Sequence, residues 1–361
     1  ADAKVVLVGD IDRGGVFAQI IGTLDLIAPE ERDRVCGIVI NKFRGDAALF
    51  ADGVRFLTER TGIPVLGVLP FLRDLALDQE DSLDVDIRRQ VAFQRDCINL
   101  AVILLPHMSN FTDFNALAGE PDVALRYAAT PEEAAGADAI LLPGSKTTLA
   151  DLAYLRGKGF ESLLHGHVHR GGEVVGICGG YQMLGRRIAD PDAVESGGSG
   201  EGLGLLQVTT VLMREKITEQ VEGRALYLGG PTAPPVRGYL IHMGRTDRHG
   251  HRACFELQGK EPSPAGPRDV TERDDAWLDG AMSDDGLVWG TYIHGLFDEP
   301  LCRRAWLNRL RIRKGLPAAD MALSQQVNRQ RSGAMDRWAD HVEQHLDLTP
   351  ILALLRQGGT V

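Results

Sequence analysis

The sequence predicts an α/β protein with two successive parallel-sheet domains and a helical tail. Three observations support this: short β-rich runs alternate with longer amphipathic runs near the start, a second alternation follows an acidic stretch, and apolar residues recur at three-to-four spacing after Asp298. Strands that alternate with helical patterns are typical of βαβ units and therefore of parallel sheets. The length of 361 residues suits two or three domains.

The first alternation is strand, helix, strand, helix, strand. Its segments are KVVLVGDI, VFAQIIGTLDLI, RVCGIVINKF, ALFADGVRFLTER and IPVLGVLP. Two strand ends carry polar side chains, with Asp10 and Asp12 after the first strand and Asn41 and Lys42 after the second. Ligands of such sheets bind at the carboxyl ends of the strands, so we expect a binding site there.

An acidic, polar stretch at residues 72–95 is the candidate domain junction, because it leaves little room for a packed strand. Beyond it, the second alternation runs through residues 98–106, 138–146, 173–180 and 286–297, with glycine- and proline-rich loops between the later strands. Residues 301–314 and 335–355 show helical periodicity, which predicts the tail.

Composition and charge argue against several classes of protein. With 44% hydrophobic and 25% charged residues, the composition is that of an ordinary globular protein. The formal net charge of −11 argues against a nucleic-acid partner, which calls for a basic face. No apolar run is long enough to cross a bilayer and the first residues lack a secretory pattern, so we expect a cytoplasmic protein without a membrane partner.

The five cysteines are dispersed and include no C-x-x-C pair, which indicates neither a disulfide framework nor a zinc site. One of them, Cys178, stands in the segment GICGG between the strand EVVGI and a helical segment, and fits the pattern G-x-nucleophile-x-G. A helix start favours a thiolate, and the N–H of Gly179 is placed to stabilise an oxyanion. The alternative is a small buried cysteine that packs and does no chemistry.

His294 is the candidate general base. It ends the apolar strand LVWGTYI and precedes a glycine, where α/β enzymes display catalytic side chains. A lone histidine at a strand end is more often structural, but a cysteine elbow gives it a partner. We interpret the histidines of HGHVHR (165–170) as a solvated helix face and DRHGHR (247–252) as a hairpin turn.

Gly144 ends the strand of LLPGSKTT, and its backbone N–H is the candidate second oxyanion donor. The run is not a phosphate loop, because it lacks G-K-[ST] and residue 139 is alanine where such a loop needs glycine.

The segments GICGGYQMLG, LLPGSKTT and TYIHGLF together resemble the class I glutamine amidotransferases, in the branch of the cobyric and cobyrinic acid synthases. Further motifs extend the resemblance to nearly the whole chain and favour the cobyric acid synthase family: DIDRGGVFA, INKFRGD, GIPVLGVLP, DSLDVD, LPGSKTTLADLAYLR, IHMGRT and HVEQHLDL. The resemblance implies part of a dethiobiotin-synthetase-like P-loop domain (1–75), a linker (76–96), a flavodoxin-like amidotransferase domain (97–306) and a helical extension (307–361).

The resemblance also implies a function. Glutamine would be hydrolysed at a Cys-His site, and ammonia would pass to a corrin-ring carboxylate activated with ATP and Mg²⁺, converting cobyrinic acid a,c-diamide to cobyric acid. The partners are then glutamine and the corrinoid. Whether the protein forms a homo-oligomer stays open. ATP and Mg²⁺ belong to the intact enzyme, and we expect no tightly bound cofactor.

Matched to the family's motifs, Cys178 is the nucleophile and His294 the base, Gly144 and Gly179 supply oxyanion N–H groups, and Gln182 helps to hold glutamine. Many class I glutaminases place a glutamate two residues after the histidine, whereas this chain has Leu296 there. Asp298 and Glu299 remain as weaker candidates to orient the base.

In the synthetase part, Asp10 and Asp12 suit Mg²⁺ or the reacting phosphate, with Asp10 the candidate metal ligand. Their alternative role is an Asp turn that caps the next helix. Asn41 and Lys42 lie where related folds read the nucleotide base. Arg245, in IHMGRT, is a candidate carboxylate-binding residue, and a structural salt bridge is the alternative.

The sequence contains no G-x-x-x-x-G-K-[ST] loop, which the family carries before the motif DIDRGG. We therefore expect the ATP-dependent part to be incomplete in this chain. Two further interpretations stay open: an amidotransferase for another substrate, of the cobyrinic acid a,c-diamide synthase or cell-wall amidase type, and a corrinoid-binding remnant without catalysis.

Overall fold

The computed structural model describes residues 3–72, 89–229, 232–259 and 276–357. Residues 73–88, which hold most of the predicted junction and the DSLDVD motif, lie outside them. The chain divides into two compact units, one made of residues 1–77 with 330–361 and the other of residues 78–329. The domain boundaries inferred from the resemblance remain predictions.

The strands of the described residues are β1 Val5–Asp10, β2 Val35–Phe43, β3 Val65–Pro70, β4 Ile98–Ile103, β5 Met108–Ser109, β6 Val123–Ala128, β7 Ala139–Leu142, β8 Gly144–Ser145, β9 Glu173–Ile177, β10 Arg187–Asp190, β11 Gly198–Glu201, β12 Thr209–Ala225, β13 Pro235–Asp247, β14 Phe255–Gly259, β15 Ala276–Asp279, β16 Ala281–Met282, β17 Val288–Thr291 and β18 Ile293–His294.

The α-helices of the same residues are α1 Val16–Leu26, α2 Pro29–Arg32, α3 Ala51–Thr61, α4 Asn115–Ala118, α5 Pro131–Ala134, α6 Thr148–Gly157, α7 Phe160–His169, α8 Gly179–Leu184, α9 Pro300–Lys314, α10 Met321–His345 and α11 Thr349–Gln357. Within the described ranges, no helix combines the length and apolar character needed to span a membrane.

The first unit is built on a parallel sheet of order β1-β2-β3. Helix α1 packs on one face through residues spaced four apart, Val16, Ile20 and Leu24, because that spacing aligns side chains along one side of a helix. The other face is covered by apolar side chains from the end of the chain, including Trp338 and Leu346. Strands β1 and β2 are parallel neighbours, with Asp10 opposite Asn41, so the polar residues at their carboxyl ends lie at one edge of the sheet.

The second unit is built on a sheet of order β16-β17-β9-β7-β4-β6, in which β16 is antiparallel and the others are parallel. All six residues of β4 are buried, as expected for a strand covered on both faces. Strands β9 and β17 are neighbours and end together, since Ile177 lies opposite Thr291. The residues that follow these two strands therefore meet at one edge. The predicted α/β fold with parallel sheets and C-terminal helices is confirmed.

A second sheet, of order β11-β10-β12-β13-β18 with β14 and β15 beside β12, was not foreseen in this form. It contains a long antiparallel pair, β12 with 17 residues and β13 with 13. Strand β18 pairs with β13, placing Tyr239 opposite His294. The turn predicted at 247–252 is present, since the His251 N–H donates to the Arg248 carbonyl at 3.0 Å, but the prediction that it joins a hairpin is wrong, because β13 and β14 each pair with β12.

The histidines of α7 are not all solvated. His167 is buried, and its Nε2 lies 3.2 Å from the carbonyl oxygen of Glu173. Burial lowers the pKa of His167, which favours its neutral form. The predicted solvated patch is therefore wrong at this residue. Across the described residues, no group of three or more histidine, cysteine, aspartate or glutamate side chains could hold a metal.

Candidate active site

Cys178 lies on a strained turn between β9 and α8. Its backbone adopts φ 51° and ψ −110°, a conformation that non-glycine residues rarely adopt. The neighbouring glycines are required by close packing: a Cβ at Gly176 would lie 2.6 Å from the Tyr181 nitrogen, and one at Gly180 would collide with the Leu142 carbonyl. The geometry is that of the predicted elbow, with the cysteine at its tip.

His294 contacts this cysteine. It ends β18, is 1% exposed, and lies close enough to Cys178 for the sulfur to raise its pKa. The Cys178 Sγ also lies 3.7 Å from the carbonyl oxygen of Ile241 on β13. Two residues 116 positions apart are thereby brought together, because β9 and β17 are adjacent parallel strands that end at the same edge of the sheet.

The two residues predicted as oxyanion donors, Gly144 and Gly179, lie near His294 and Cys178. Gly144, in the short strand β8, is close to His294: a Cβ on this glycine would lie 3.4 Å from the imidazole Cε1. Gly179 packs on the next residue of β8, since its Cβ would lie 2.8 Å from the Ser145 nitrogen. Both glycines therefore lie beside the residues that carry the thiol and the imidazole, and their role as oxyanion donors stays a prediction.

Gln182 is buried one turn after the elbow. Its Nε2 donates to the Tyr292 hydroxyl at 3.2 Å, and its Oε1 lies 3.2 Å from the Thr148 hydroxyl. Thr148 in turn donates its backbone N–H to Glu195 at 2.6 Å. Burial raises the pKa of Glu195 in spite of these hydrogen bonds. The predicted glutamine-binding residue thus belongs to a polar network whose other members the sequence analysis did not single out.

Asp113, which binds the His294 imidazole, was not predicted from the sequence. Its Oδ2 accepts a hydrogen bond from Nδ1 of His294 at 2.7 Å, and its Oδ1 accepts one from the Gly295 N–H at 2.9 Å. Burial lowers the pKa of His294, but the hydrogen bonds with Asp113 and Cys178 outweigh it and raise this pKa to about 10. The side chain of Glu299, one of the two acids considered for this contact, instead caps α9 by accepting from the Leu301 N–H.

The candidate site of the first unit is a set of ion pairs. The Asp10 carboxylate lies 2.8 Å from Lys42 Nζ, and Arg44 binds both oxygens of Asp12 at 2.7 and 2.9 Å. These cations lower the pKa values of Asp10 and Asp12. Asp10 also accepts from the Asp12 N–H, so the turn considered as its alternative role is present.

Asn41 lies opposite Asp10 in the β1–β2 register, and its Oδ1 accepts from the Lys42 N–H at 2.8 Å. The four predicted nucleotide and metal residues therefore share one edge of the sheet. Arg245 belongs to the second unit, where it lies on the exposed side of β13 opposite Val211.

Comparison with known protein families identifies the class of this protein. Residues 99–301 match the family described as a CobB/CobQ-like glutamine amidotransferase domain, and residues 1–79 match an AAA domain. The candidate site around Cys178 therefore lies in a glutamine amidotransferase domain.

Relatives along the whole chain then identify the family. The cobyric acid synthases of Citrobacter koseri and Klebsiella pneumoniae are each 46% identical over 99% of this chain, which covers 68% of each relative. That of Syntrophobacter fumaroxidans is 41% identical over 98% of this chain and 69% of its own length. The chain belongs to the cobyric acid synthase family, as its motifs predicted. A solved structure of PurLQS from Thermotoga maritima matches with a TM-score of 0.43 and 18% identity, over 59% of this chain and 98% of that one.

Proposed function

We propose that this chain hydrolyses glutamine at Cys178 and His294, and that the ammonia amidates corrin-ring carboxylates in the conversion of cobyrinic acid a,c-diamide to cobyric acid. The observation that carries the glutaminase proposal is the close approach of Cys178, on its strained elbow, to the buried His294. The names of the relatives support the corrinoid as the acceptor.

In the proposed reaction, the Cys178 thiolate attacks the side-chain amide carbon of glutamine. The carbonyl oxygen becomes an oxyanion between the N–H groups of Gly144 and Gly179. The His294 imidazolium gives its Nε2 proton to the leaving nitrogen, and ammonia departs as the thioester forms. Water then attacks the thioester, its proton passes to His294, and glutamate leaves with the thiolate restored.

The raised pKa of His294 fits the first of these steps. With a pKa of about 10, the imidazole carries a proton at neutral pH and is ready to act as the acid for the leaving amine.

The residues of the first unit fit ATP and Mg²⁺. Asp10 and Asp12 offer carboxylate oxygens of the kind Mg²⁺ prefers, and Lys42 and Arg44 offer positive charge suited to phosphate. When bound, ATP supplies a phosphoryl group that turns a carboxylate into an acyl phosphate. We propose that Asp10 holds the metal and that Asn41 contacts the base.

Replacement of the nucleophile tests the glutaminase. We expect Cys178→Ala to lower kcat for glutamine hydrolysis by more than about 10³-fold, because the covalent route is lost. Cys97→Ala is the matched control and should keep hydrolysis, since this cysteine lies at the start of β4 and contacts Gln94. Ammonia release measures both. Near-normal hydrolysis by Cys178→Ala would refute the assignment.

The acceptor is tested separately, by mass spectrometry of corrinoids incubated with the whole protein, glutamine and Mg-ATP. Amidation of cobyrinic acid a,c-diamide is the expected result. Amidation of cobyrinic acid itself at the a and c positions would instead identify an a,c-diamide synthase.

A further inference from the structure

We propose that Asp113 is the positioning residue of the His294 base, supplied by the segment between β5 and α4 and not by the residues that follow the histidine. The inference rests on the proposed glutaminase function. It concerns a residue 181 positions before the histidine, in a stretch with no catalytic motif.

Both oxygens of the Asp113 carboxylate are engaged at the end of β18. Oδ2 accepts from the His294 imidazole and Oδ1 from the Gly295 N–H, so one carboxylate holds the ring and the backbone next to it. The side chains of Asp113 and His294 are 2% and 1% exposed. A buried carboxylate needs a compensating charge or donors, and here the histidine and its neighbour supply them.

The Tyr239 side chain makes a second contact with the His294 imidazole. The Tyr239 ring stacks on His294, with centroids 5.4 Å apart and planes 24° apart. Asn110 donates to the Tyr239 hydroxyl at 3.1 Å and adopts φ 53°, a left-handed conformation that asparagine tolerates better than most residues. One short segment therefore holds the imidazole directly through Asp113 and indirectly through Asn110, which bonds the stacked Tyr239.

This segment also joins the oxyanion strand. Ser109 and Met108 form β5, which pairs with the strand of Gly144. One stretch of chain, residues 108–114, thus connects the candidate oxyanion donor to the candidate base. Its contacts explain why the base needs no acid at the position of Leu296.

The contact sets which ring nitrogen does chemistry. Because the carboxylate accepts the Nδ1 proton, Nε2 is the nitrogen left to exchange a proton with the Cys178 sulfur. An asparagine at 113 would place an N–H donor against Nδ1 in one amide orientation. The ring proton then moves to Nε2, where it blocks acceptance of a proton from the attacking water.

The charged and titratable groups around the imidazole are Asp113, Cys178 and Tyr239, with Asp298 close to Tyr239. Asp113 is the charge that favours the imidazolium. Its removal should therefore let His294 lose its proton at a lower pH, and the alkaline limb of activity should move the same way.

The experiment compares Asp113→Asn with Asp113→Glu, and with Asp298→Asn as a matched carboxylate-to-amide control. Each protein is assayed for glutamine hydrolysis across pH, and the rate of Cys178 alkylation by iodoacetamide is measured over the same range. We expect Asp113→Asn to lower kcat by about 10²- to 10⁴-fold, with KM for glutamine changed only a few-fold. The alkaline limb of its hydrolysis should shift to lower pH, and its alkylation near neutral pH should be slower than that of the wild type, because the imidazolium that supports a thiolate is lost.

Asp113→Glu keeps the charge, so it should keep the wild-type alkaline limb at reduced kcat, and Asp298→Asn should resemble the wild type. Circular dichroism shows whether each variant is folded. If Asp113→Asn does not fold, the alkylation profile of Asp113→Glu decides, because a shifted limb with the carboxylate retained contradicts the proposal.

An unchanged pH profile in folded Asp113→Asn, or equal effects from Asp298→Asn, would overturn the positioning role. These outcomes are distinct from failure of the proposed function, which would show as hydrolysis retained by Cys178→Ala.

Discussion

The side chain of Glu173, at the start of the strand that leads to Cys178, offers a quantitative test of what holds this strand in place. Its carboxylate is fully buried. Oε1 accepts from the indole N–H groups of Trp289 and Trp306, each at 2.7 Å, and Oε2 lies 2.9 Å from an Arg313 nitrogen. One carboxylate thus joins β9, β17 and α9.

Glu173→Gln removes the charge and turns one acceptor into a donor. The amide will keep its oxygen toward the two buried indoles, because both indole N–H groups lie 2.7 Å away, closer than the Arg313 and Arg309 nitrogens at 2.9 and 3.6 Å on the other side. Its NH₂ group then faces the Arg313 guanidinium, donor against donor. Breaking a buried ion pair costs about 3–5 kcal/mol, and the partial exposure of Arg313 reduces this to about 2–4 kcal/mol.

Denaturant unfolding followed by tryptophan fluorescence measures the loss, because two of the reporting indoles contact residue 173. Glu161→Gln is the matched control: Glu161 pairs with Arg156 at 3.1 Å, but both side chains are about one-third exposed. A surface pair of this kind contributes about 0–1 kcal/mol. A loss below about 1 kcal/mol for Glu173→Gln would refute the reasoning.

Two further changes test the elbow and the buried acid beside it. Gly180→Ala should abolish hydrolysis and destabilise the second unit by about 1–3 kcal/mol, because the new methyl group would collide with the Leu142 carbonyl; Gly157→Ala, where nothing lies within 4 Å, is the control, and equal behaviour of the two would contradict the packing argument. Burial raises the pKa of Asp279 to about 6, so its contribution to stability is present at low pH and lost as the pH rises through that value. The free energy of unfolding of the wild type relative to Asp279→Asn should therefore fall by about 2 kcal/mol between about pH 4 and pH 7, whereas a difference that does not vary with pH would refute this.

The sequence was informative wherever function depends on local backbone geometry. The glycines around Cys178 indicated a turn that only small residues permit, and the structure has that turn with a positive φ at the cysteine. The apolar run before His294 indicated a strand end. Both features are readable because a few consecutive residues specify them.

The same reasoning failed where the outcome depends on which strands become neighbours. The segment 247–252 was expected to join a hairpin, yet its flanking strands both pair with β12. His167 was expected on a solvated face, yet it packs toward the start of β9. Turn composition does not specify strand pairing, and helix periodicity does not resolve every position.

By itself, the sequence determined the family, the α/β fold, and the nucleophile and base that we propose, because motifs of adjacent residues specify each of them. Only the tertiary structure decided which acid meets the base. Asp113 reaches His294 across 181 positions, because the segment after β4 and the end of β18 converge at the edge where Cys178 lies. No local pattern marks such a residue, since its role exists only once distant strands have come together.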